Sequence, residues 1–188
     1  VPYALAGYNA VHDLELHTHA SAEAQVAALA DDIAYNHHDI HDGLRAGLFE
    51  VEDLLDLPIV GACFGEVDAR YPSLEPARRQ HEALRRFFGV LVEDVIATSR
   101  AIASEIAAES ASDVRQAGRP LVQFSPVLWA DLKLVRAFLF ERMYRAPTVV
   151  IMRARASLIV EGLFEGYLAT PELLPEEWHE ALNDALGD

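Results

Sequence analysis

The sequence has 188 residues, 52% of them hydrophobic, so it is long enough to bury a core as one soluble globular domain or most of one. Its formal net charge of -15 argues against a broad nucleic-acid-binding surface, because phosphate backbones are bound by clustered lysine and arginine. The single cysteine, Cys63, excludes an internal disulfide and a cysteine-based zinc site. Without a signal-like or membrane-spanning apolar run, we expect a cytoplasmic protein that does not enter membranes.

Taken in chain order, every strong periodicity of apolar residues is helical. Residues 1–20 suggest an extended leading segment. Ser21 then suits the N-cap of a helix that runs to Asp42, with Gly43 beyond its end. A short helix is expected near residues 50–55.

The rest of the sequence, after residue 57, also has mainly helical periodicity. A loop is expected first, because the chain carries breaks at Pro58, Gly61, Gly65 and Pro72. Pro76 suits the first turn of a long helix that reaches about Glu109, and residues 110–120 are polar and turn-rich. Three further helices are expected over residues 125–140, 148–168 and 176–186. No segment alternates like a strand, so the predicted fold class is all-α.

One stretch of the first long helix carries polar groups at helical spacing. Asp31, Tyr35 and Asp39 stand four residues apart and form a stripe about 12 Å long, with His38 and Asp42 on the same face. Such groups are costly to bury unless a cation or a polar ligand compensates them. The stripe therefore predicts a ligand site, and the alternative is an acidic, solvated helix face.

The same helix reads Ala-Asp-Asp-Ile-Ala-Tyr from residue 30, His-Asp-Ile from residue 38 and Asp-Gly-Leu-Arg-Ala-Gly-Leu from residue 42. Together with residues 12–16, 21–25 and 138–145, these sequence motifs resemble those of the bacterial dGTP triphosphohydrolase-like proteins, which are HD-domain phosphohydrolases. The resemblance implies a helical HD-domain-like fold whose N-terminal part is missing here. Residues 1–56 would be the end of the metal-binding core, and residues 57–188 a C-terminal helical region.

The resemblance also implies a set of site residues. The superfamily binds one divalent metal (Mn, Mg, Fe, Co or Ni) through a His, a His-Asp pair and a distant Asp, and only the last is matched here, by Asp31. Asp32 is an alternative ligand, but only Asp31 is in register with the stripe. Tyr35, Asp39 and His38 are implied to contact a deoxynucleoside triphosphate, although His38 equally fits a polar histidine at the pocket edge. No catalytic residue is expected in this chain.

Other histidines and arginines have plainer interpretations. His37 and His41 project off the stripe, and we expect both to be exposed. His17 and His19 face opposite ways in an extended segment, so their spacing is weak evidence for a metal site. Four arginines of the long helix could grip a triphosphate, but ordinary surface pairing is favoured for Arg78, Arg79, Arg85 and Arg86.

Two hypotheses of function follow. In the first, the chain is part of a metal-dependent dNTP triphosphohydrolase that releases deoxynucleoside and triphosphate, and it is inactive alone because the His and His-Asp ligands are absent. In the second, it is a non-catalytic helical module for oligomerisation or regulation. The expected partners are a dNTP substrate and further copies of the chain. The reading frame upstream of Val1 would separate the two hypotheses.

Overall fold

A computed structural model describes residues 2–178, and in this range the chain is all-α, as the sequence predicts. The chain divides into two compact units, Val1–Leu139 and Phe140–Asp188. The helices of the first unit are α1 (Tyr3–Val11), α2 (Ala22–Arg45), α3 (Val51–Leu54), α4 (Val60–Arg70), α5 (Pro76–Ile106), α6 (Ala111–Gln116) and α7 (Pro126–Leu139). The second unit contains a π-helical turn (Phe140–Tyr144), α8 (Pro147–Ala169) and two 3-10 turns (Pro171–Leu173 and Glu176–Trp178).

The core of the first unit is built around α5. This helix packs against both α4 and α2, and α2 also contacts α7. The largest fully buried side chains of these four helices are Ile40, Phe64, Leu84, Phe87, Leu91, Leu132 and Leu139. Each contributes about 1.5–3 kcal/mol through removal of apolar surface from water, so the four helices stabilise one another chiefly by these contacts.

Two helix starts agree with their sequence signals. The Ser21 hydroxyl accepts a hydrogen bond from the Ala24 backbone N–H, which makes Ser21 the N-cap of α2, as predicted. Pro76 occupies the first turn of α5, as predicted, and the Glu75 carboxylate accepts from the N–H groups of Ala77 and Arg78. Local chemistry therefore determines where both long helices begin.

Two expectations about loops are wrong. Residues 3–11 form α1 rather than an extended segment, and the expected loop after residue 57 contains α4. Gly61 lies in the first turn of α4, at a position where a Cβ would overlap the backbone carbonyl of Leu55. Its glycine is explained by the close approach of two backbone segments, which the sequence pattern alone does not reveal.

The ends of several helices also differ from the prediction. Helix α2 continues through Gly43 to Arg45, and the left-handed residue after it is Gly47, with φ of 64°. Helix α6 lies inside the segment expected to be only turns. The helices expected over 125–140 and 148–168 are confirmed as α7 and α8. Of the expected tail helix, residues 176–178 form one 3-10 turn and the rest lies outside the described residues.

Within residues 2–178 no helix combines the length and the apolar character needed to cross a lipid bilayer.

Substitution of Gly43 tests why this glycine lies inside α2. A Cβ at Gly43 would overlap the ring of Phe49, which is 3% exposed and packs edge-on against Phe138 at 5.1 Å between centroids. We expect Gly43→Ala to lower the free energy of unfolding by about 1–3 kcal/mol in urea denaturation. The matched control is Gly89→Ala in α5, where nothing lies within 4 Å and a gain of up to about 1 kcal/mol is expected. Equal effects at the two positions would contradict this explanation.

Candidate functional site

Helix α2 has a buried face and an exposed polar face. Ile33 and Ile40 are buried against the rest of the first unit. Asp31 lies about 200° around the helix axis from Ile33. Asp31 and His38 are exposed, and Tyr35 is 60% exposed. The polar stripe therefore lies on the side of α2 opposite the core, where it faces outward from this unit.

The remaining stripe residues complete this face. Asp39 is half-buried and Asp42 is exposed. The sequence of α2 thus brings three carboxylates, a phenol and an imidazole to one side over about three turns. Such a surface can offer carboxylate oxygens to a cation and a hydroxyl to a polar ligand.

Metal binding by the described residues alone is not supported by the geometry. Within residues 2–178 no three side chains of His, Cys, Asp or Glu lie close enough together to hold a metal ion. Protein metal sites usually take three or four protein ligands, and one carboxylate does not hold a metal tightly. The role of Asp31 as a ligand therefore stays a prediction that requires further ligands from outside this range.

The neighbouring carboxylate, Asp32, is engaged elsewhere. Its Oδ2 lies 3.2 Å from Nη2 of Arg136 in α7, and the Nε of Arg136 donates to Asn36 Oδ1 at 3.2 Å. The amide of Asn36, only 4% exposed, donates back to the backbone oxygen of Asp32 at 2.5 Å. The guanidinium also lies 5.1 Å from the ring centroid of Trp129. Because Asp32 already takes part in this polar network, Asp31 is favoured over Asp32 as the carboxylate that binds an external ligand.

Sequence reasoning missed a cluster of histidines between α2 and α5. His37 and His41 are half-buried, so the expectation that both are exposed is wrong. The His37 ring packs edge-on against Phe88 at 5.8 Å and against His38 at 5.2 Å, and His41 lies 5.6 Å from His81. Both residues project toward α5, and the helical pattern of α2 alone does not reveal that neighbour.

The environment of His37 changes its acidity. Burial lowers the pKa of its imidazole, and the neighbouring His38, His41 and His81 lower that pKa further. His37 is therefore more strongly held in its neutral form than an exposed histidine.

The arginines of α5 are used in ion pairs. Arg79 makes a bidentate pair with Asp68, at 2.6 and 2.8 Å. Arg85 makes a bidentate pair with Glu82, and Arg86 lies 3.5 Å from the same carboxylate. The expected surface pairing is confirmed for Arg85, whereas Arg79 and Arg86 form their ion pairs from half-buried positions.

Two cavities of the first unit lie outside the polar stripe. His17 and His19 border a polar cleft of about 260 Å³ together with Arg115, whose positive charge disfavours a metal ion there. A groove of about 290 Å³ between α2 and α5 is lined by apolar side chains, among them Val26, Leu29, Ile33, Phe88, Val92 and Ile96. An anionic ligand would lose its hydration in this groove without compensation.

In a comparison with known proteins, residues 122–188 match the family described as a phosphohydrolase-associated domain. The chain is 60% identical over its whole length to a deoxyguanosinetriphosphate triphosphohydrolase-like protein of Jannaschia sp. (strain CCS1) and covers 48% of that protein. Proteins of the same name from Roseobacter denitrificans and Cereibacter sphaeroides are 56% and 55% identical over 96% and 100% of the chain, which covers 46% and 50% of them.

The predicted resemblance is therefore confirmed: the chain is similar over its whole length to proteins named as dGTP triphosphohydrolase-like. It spans about half the length of the curated relatives it matches.

The polar network between α2 and α7 can be tested by stability. Arg136→Met keeps most of the aliphatic side chain but leaves the buried Oδ1 of Asn36 without its donor. We expect a loss of about 1–3 kcal/mol in the free energy of unfolding, measured by urea denaturation. The control is Asp31→Asn on the exposed face, for which a change within about 0.5 kcal/mol is expected. A larger loss for Asp31→Asn than for Arg136→Met would reverse the roles assigned to the two faces.

The lowered pKa of His37 predicts a pH dependence of stability. Because the unfolded chain binds this proton more readily than the folded chain, the contribution of His37 to stability is complete above about pH 6.5. It is lost as the pH falls from that value through the folded-state pKa. Urea denaturation across this pH window should show that the free energy of unfolding falls less steeply with decreasing pH in His37→Gln than in the wild type. The same loss in both proteins would contradict the prediction. His12→Gln, at the exposed residue that directly follows α1, is the control.

Proposed function

We propose that this chain is the part of a metal-dependent dNTP triphosphohydrolase that provides one metal-binding carboxylate and the surface that holds the deoxyribose. The observation that carries the proposal is the outward position of Asp31, Tyr35 and His38, opposite the core face of α2. It is supported by the 60% identity with half of a protein named for dGTP triphosphohydrolysis. The reaction would release a deoxynucleoside and intact triphosphate.

In this proposal Asp31 is one of several ligands, and the remaining imidazole and carboxylate ligands come from the other half of the longer protein. Imidazole and carboxylate together suit Mn, Mg, Fe, Co or Ni. A metal held in this way supplies Lewis-acid polarisation of a phosphate and a more acidic water. The chain alone is proposed to be inactive, because Asp31 by itself does not hold the metal.

Tyr35 and Asp39 are proposed to recognise the sugar. They follow Asp31 by one and two turns, so each Cα lies about 6 Å further along the helix than the last. The phenol ring can pack on the apolar side of a deoxyribose, and the carboxylate can accept a hydrogen bond from the 3′-hydroxyl. A ring packed in this way leaves little room for a 2′-hydroxyl, which gives a physical basis for preference of deoxynucleotides. His38 would contact the substrate at the edge of this surface.

A chimera tests the proposal directly: this chain replaces the matching half of the Jannaschia relative, to which it is 60% identical. The chimera should release triphosphate from dNTPs, and the isolated chain should not. Asp31→Asn should lower both bound metal and kcat by about 100-fold or more. Tyr35→Ala and Asp39→Ala should keep the metal and lower the deoxy-over-ribo ratio of kcat/KM by about tenfold.

The control for the chimera is Glu93→Gln, an exposed position of α5 that should change neither metal content nor rate. Metal analysis and single-substrate kinetics on the same preparations distinguish the loss of a metal-binding carboxylate from the loss of contacts with the sugar. Normal metal content and rate in Asp31→Asn would remove the metal role. A folded, metal-loaded chimera without hydrolysis would favour the non-catalytic module instead.

A further inference from the structure

The polar cleft of about 260 Å³ is not used by the function proposed above. One wall holds His17, Thr18 and His19, directly before α2, and the other wall holds Arg115, Gln116 and Gly118, at the end of α6 and just beyond it. None of these described lining residues is acidic. The chain has twice as many acidic as basic residues, 30 against 15, so this cleft differs in charge from the protein as a whole.

Hydrogen bonds hold the two walls of the cleft together. The His19 N–H donates to the backbone oxygen of Arg115 at 2.9 Å. Gln25, near the start of α2, donates through Nε2 to the backbone oxygen of Ala20 at 2.7 Å. Its Oε1 accepts from the N–H groups of residues 121 and 122 at 2.8 and 3.0 Å. The two walls are therefore bridged by side-chain and backbone bonds, so the cleft is formed without a ligand.

The side chains of the cleft offer hydrogen-bond donors. Arg115 carries five N–H donors in a planar fork that matches two oxygens of a phosphate. Each imidazole donates at least one N–H, and the carboxamide of Gln116 can donate two. The Thr18 hydroxyl is already used, because it donates to the backbone oxygen of Glu15 at 2.9 Å. Donors around a fixed positive charge suit an oxyanion, whereas a metal cation would be repelled by the guanidinium.

The guanidinium of Arg115 is weakly held by its neighbours. Its Nη1 lies 3.9 Å from Oε2 of Glu15, which is too long for a hydrogen bond, and both side chains are exposed. The carboxylate of Asp113 in α6 is occupied, because it accepts from the N–H groups of Glu109 and Ser110. Glu15 is therefore the carboxylate that competes with a ligand for Arg115.

We propose that this cleft binds a small phosphate-class anion, with Arg115 as the bidentate contact and His17 and His19 as flanking donors. Its volume is below the range of about 300–1,000 Å³ that is typical for drug-sized ligands. A free phosphate chain, or the phosphate end of a nucleotide, is therefore the size that fits. Asp31 lies about 15 Å along α2 from Ser21, so this site is separate from the proposed substrate surface.

Isothermal titration calorimetry on the 188-residue chain tests the site, with tripolyphosphate and dGTP as probes and no divalent metal. Arg115→Met should weaken tripolyphosphate binding about tenfold or more, because the anion loses its charged bidentate donor. Arg115→Lys should recover only part of this affinity, since an ammonium keeps the charge without the fork. Arg100→Met removes the same charge at an exposed position of α5 and should change the Kd less than about twofold.

Variants of Glu15 should give the opposite result. Glu15→Gln should tighten tripolyphosphate binding about threefold, because the carboxylate that competes for Arg115 is removed. Glu93→Gln removes one negative charge at an exposed position of α5 and should leave the Kd within about 1.5-fold of the wild type. His19→Gln keeps the backbone bond between the walls and should weaken binding about threefold through loss of the imidazole.

The two probes distinguish the source of the phosphate. Similar Kd values for tripolyphosphate and dGTP, both weakened by Arg115→Met, support the proposal and assign the cleft to a free phosphate chain. Tighter binding of dGTP that is also weakened by Arg115→Met supports the proposal and assigns the cleft to the phosphate end of a nucleotide.

Three outcomes would overturn the proposal. The first is that neither probe binds at millimolar concentration. The second is that tripolyphosphate binding responds to Arg115→Met no more than to Arg100→Met. The third is that Asp31→Asn removes this binding while Arg115→Met does not, which would place the anion on the polar stripe. Failure of the proposed function in the chimera leaves the tripolyphosphate result unaffected. Circular dichroism verifies that each variant keeps its helix content, as expected for the exposed positions of Arg115 and Glu15.

Discussion

The burial of one face of α2 against α5 is the constraint on which the candidate site depends. Ile33 and Ile40 are almost fully removed from water, and their apolar surface is the main reason that α2 has a defined rotation about its axis. Once these two residues are fixed toward the core, the helical period leaves Asp31 and Tyr35 on the opposite side. The chemistry of the exposed face is therefore positioned by side chains that never touch a ligand.

The polar network with α7 refines this rotation. Asn36 is buried and uses both ends of its amide, one toward Arg136 and one toward the backbone of Asp32. A rotation of α2 by one residue would bury a carboxylate and leave the amide of Asn36 without partners, which is costly inside a protein. Adjacent aspartates thus have different roles: Asp32 supports the helix packing, and Asp31 is available on the exposed face.

The parts of the fold that were predictable have local causes. Ser21 and Pro76 determine where helices begin through interactions within one turn. The apolar periodicity of α2 is visible in the residues of α2 themselves. The parts that were not predictable depend on distant partners. Gly61 is explained by the backbone of Leu55, and His37 is half-buried because α5 lies beside it. The site residues themselves rest on the family resemblance, since spacing alone equally allows a solvated acidic face.

The contact between Asn36 and Arg136 spans 100 residues of chain. Helices α4 and α5 are neighbours in sequence and can pair after a short loop closes, whereas α2 and α7 must close a far longer loop. During synthesis the α4 and α5 pair can therefore form while α7 is still in the ribosome. The outward face of α2 acquires its final orientation only after residue 136 has emerged, which makes the candidate site one of the last features of this unit to be completed.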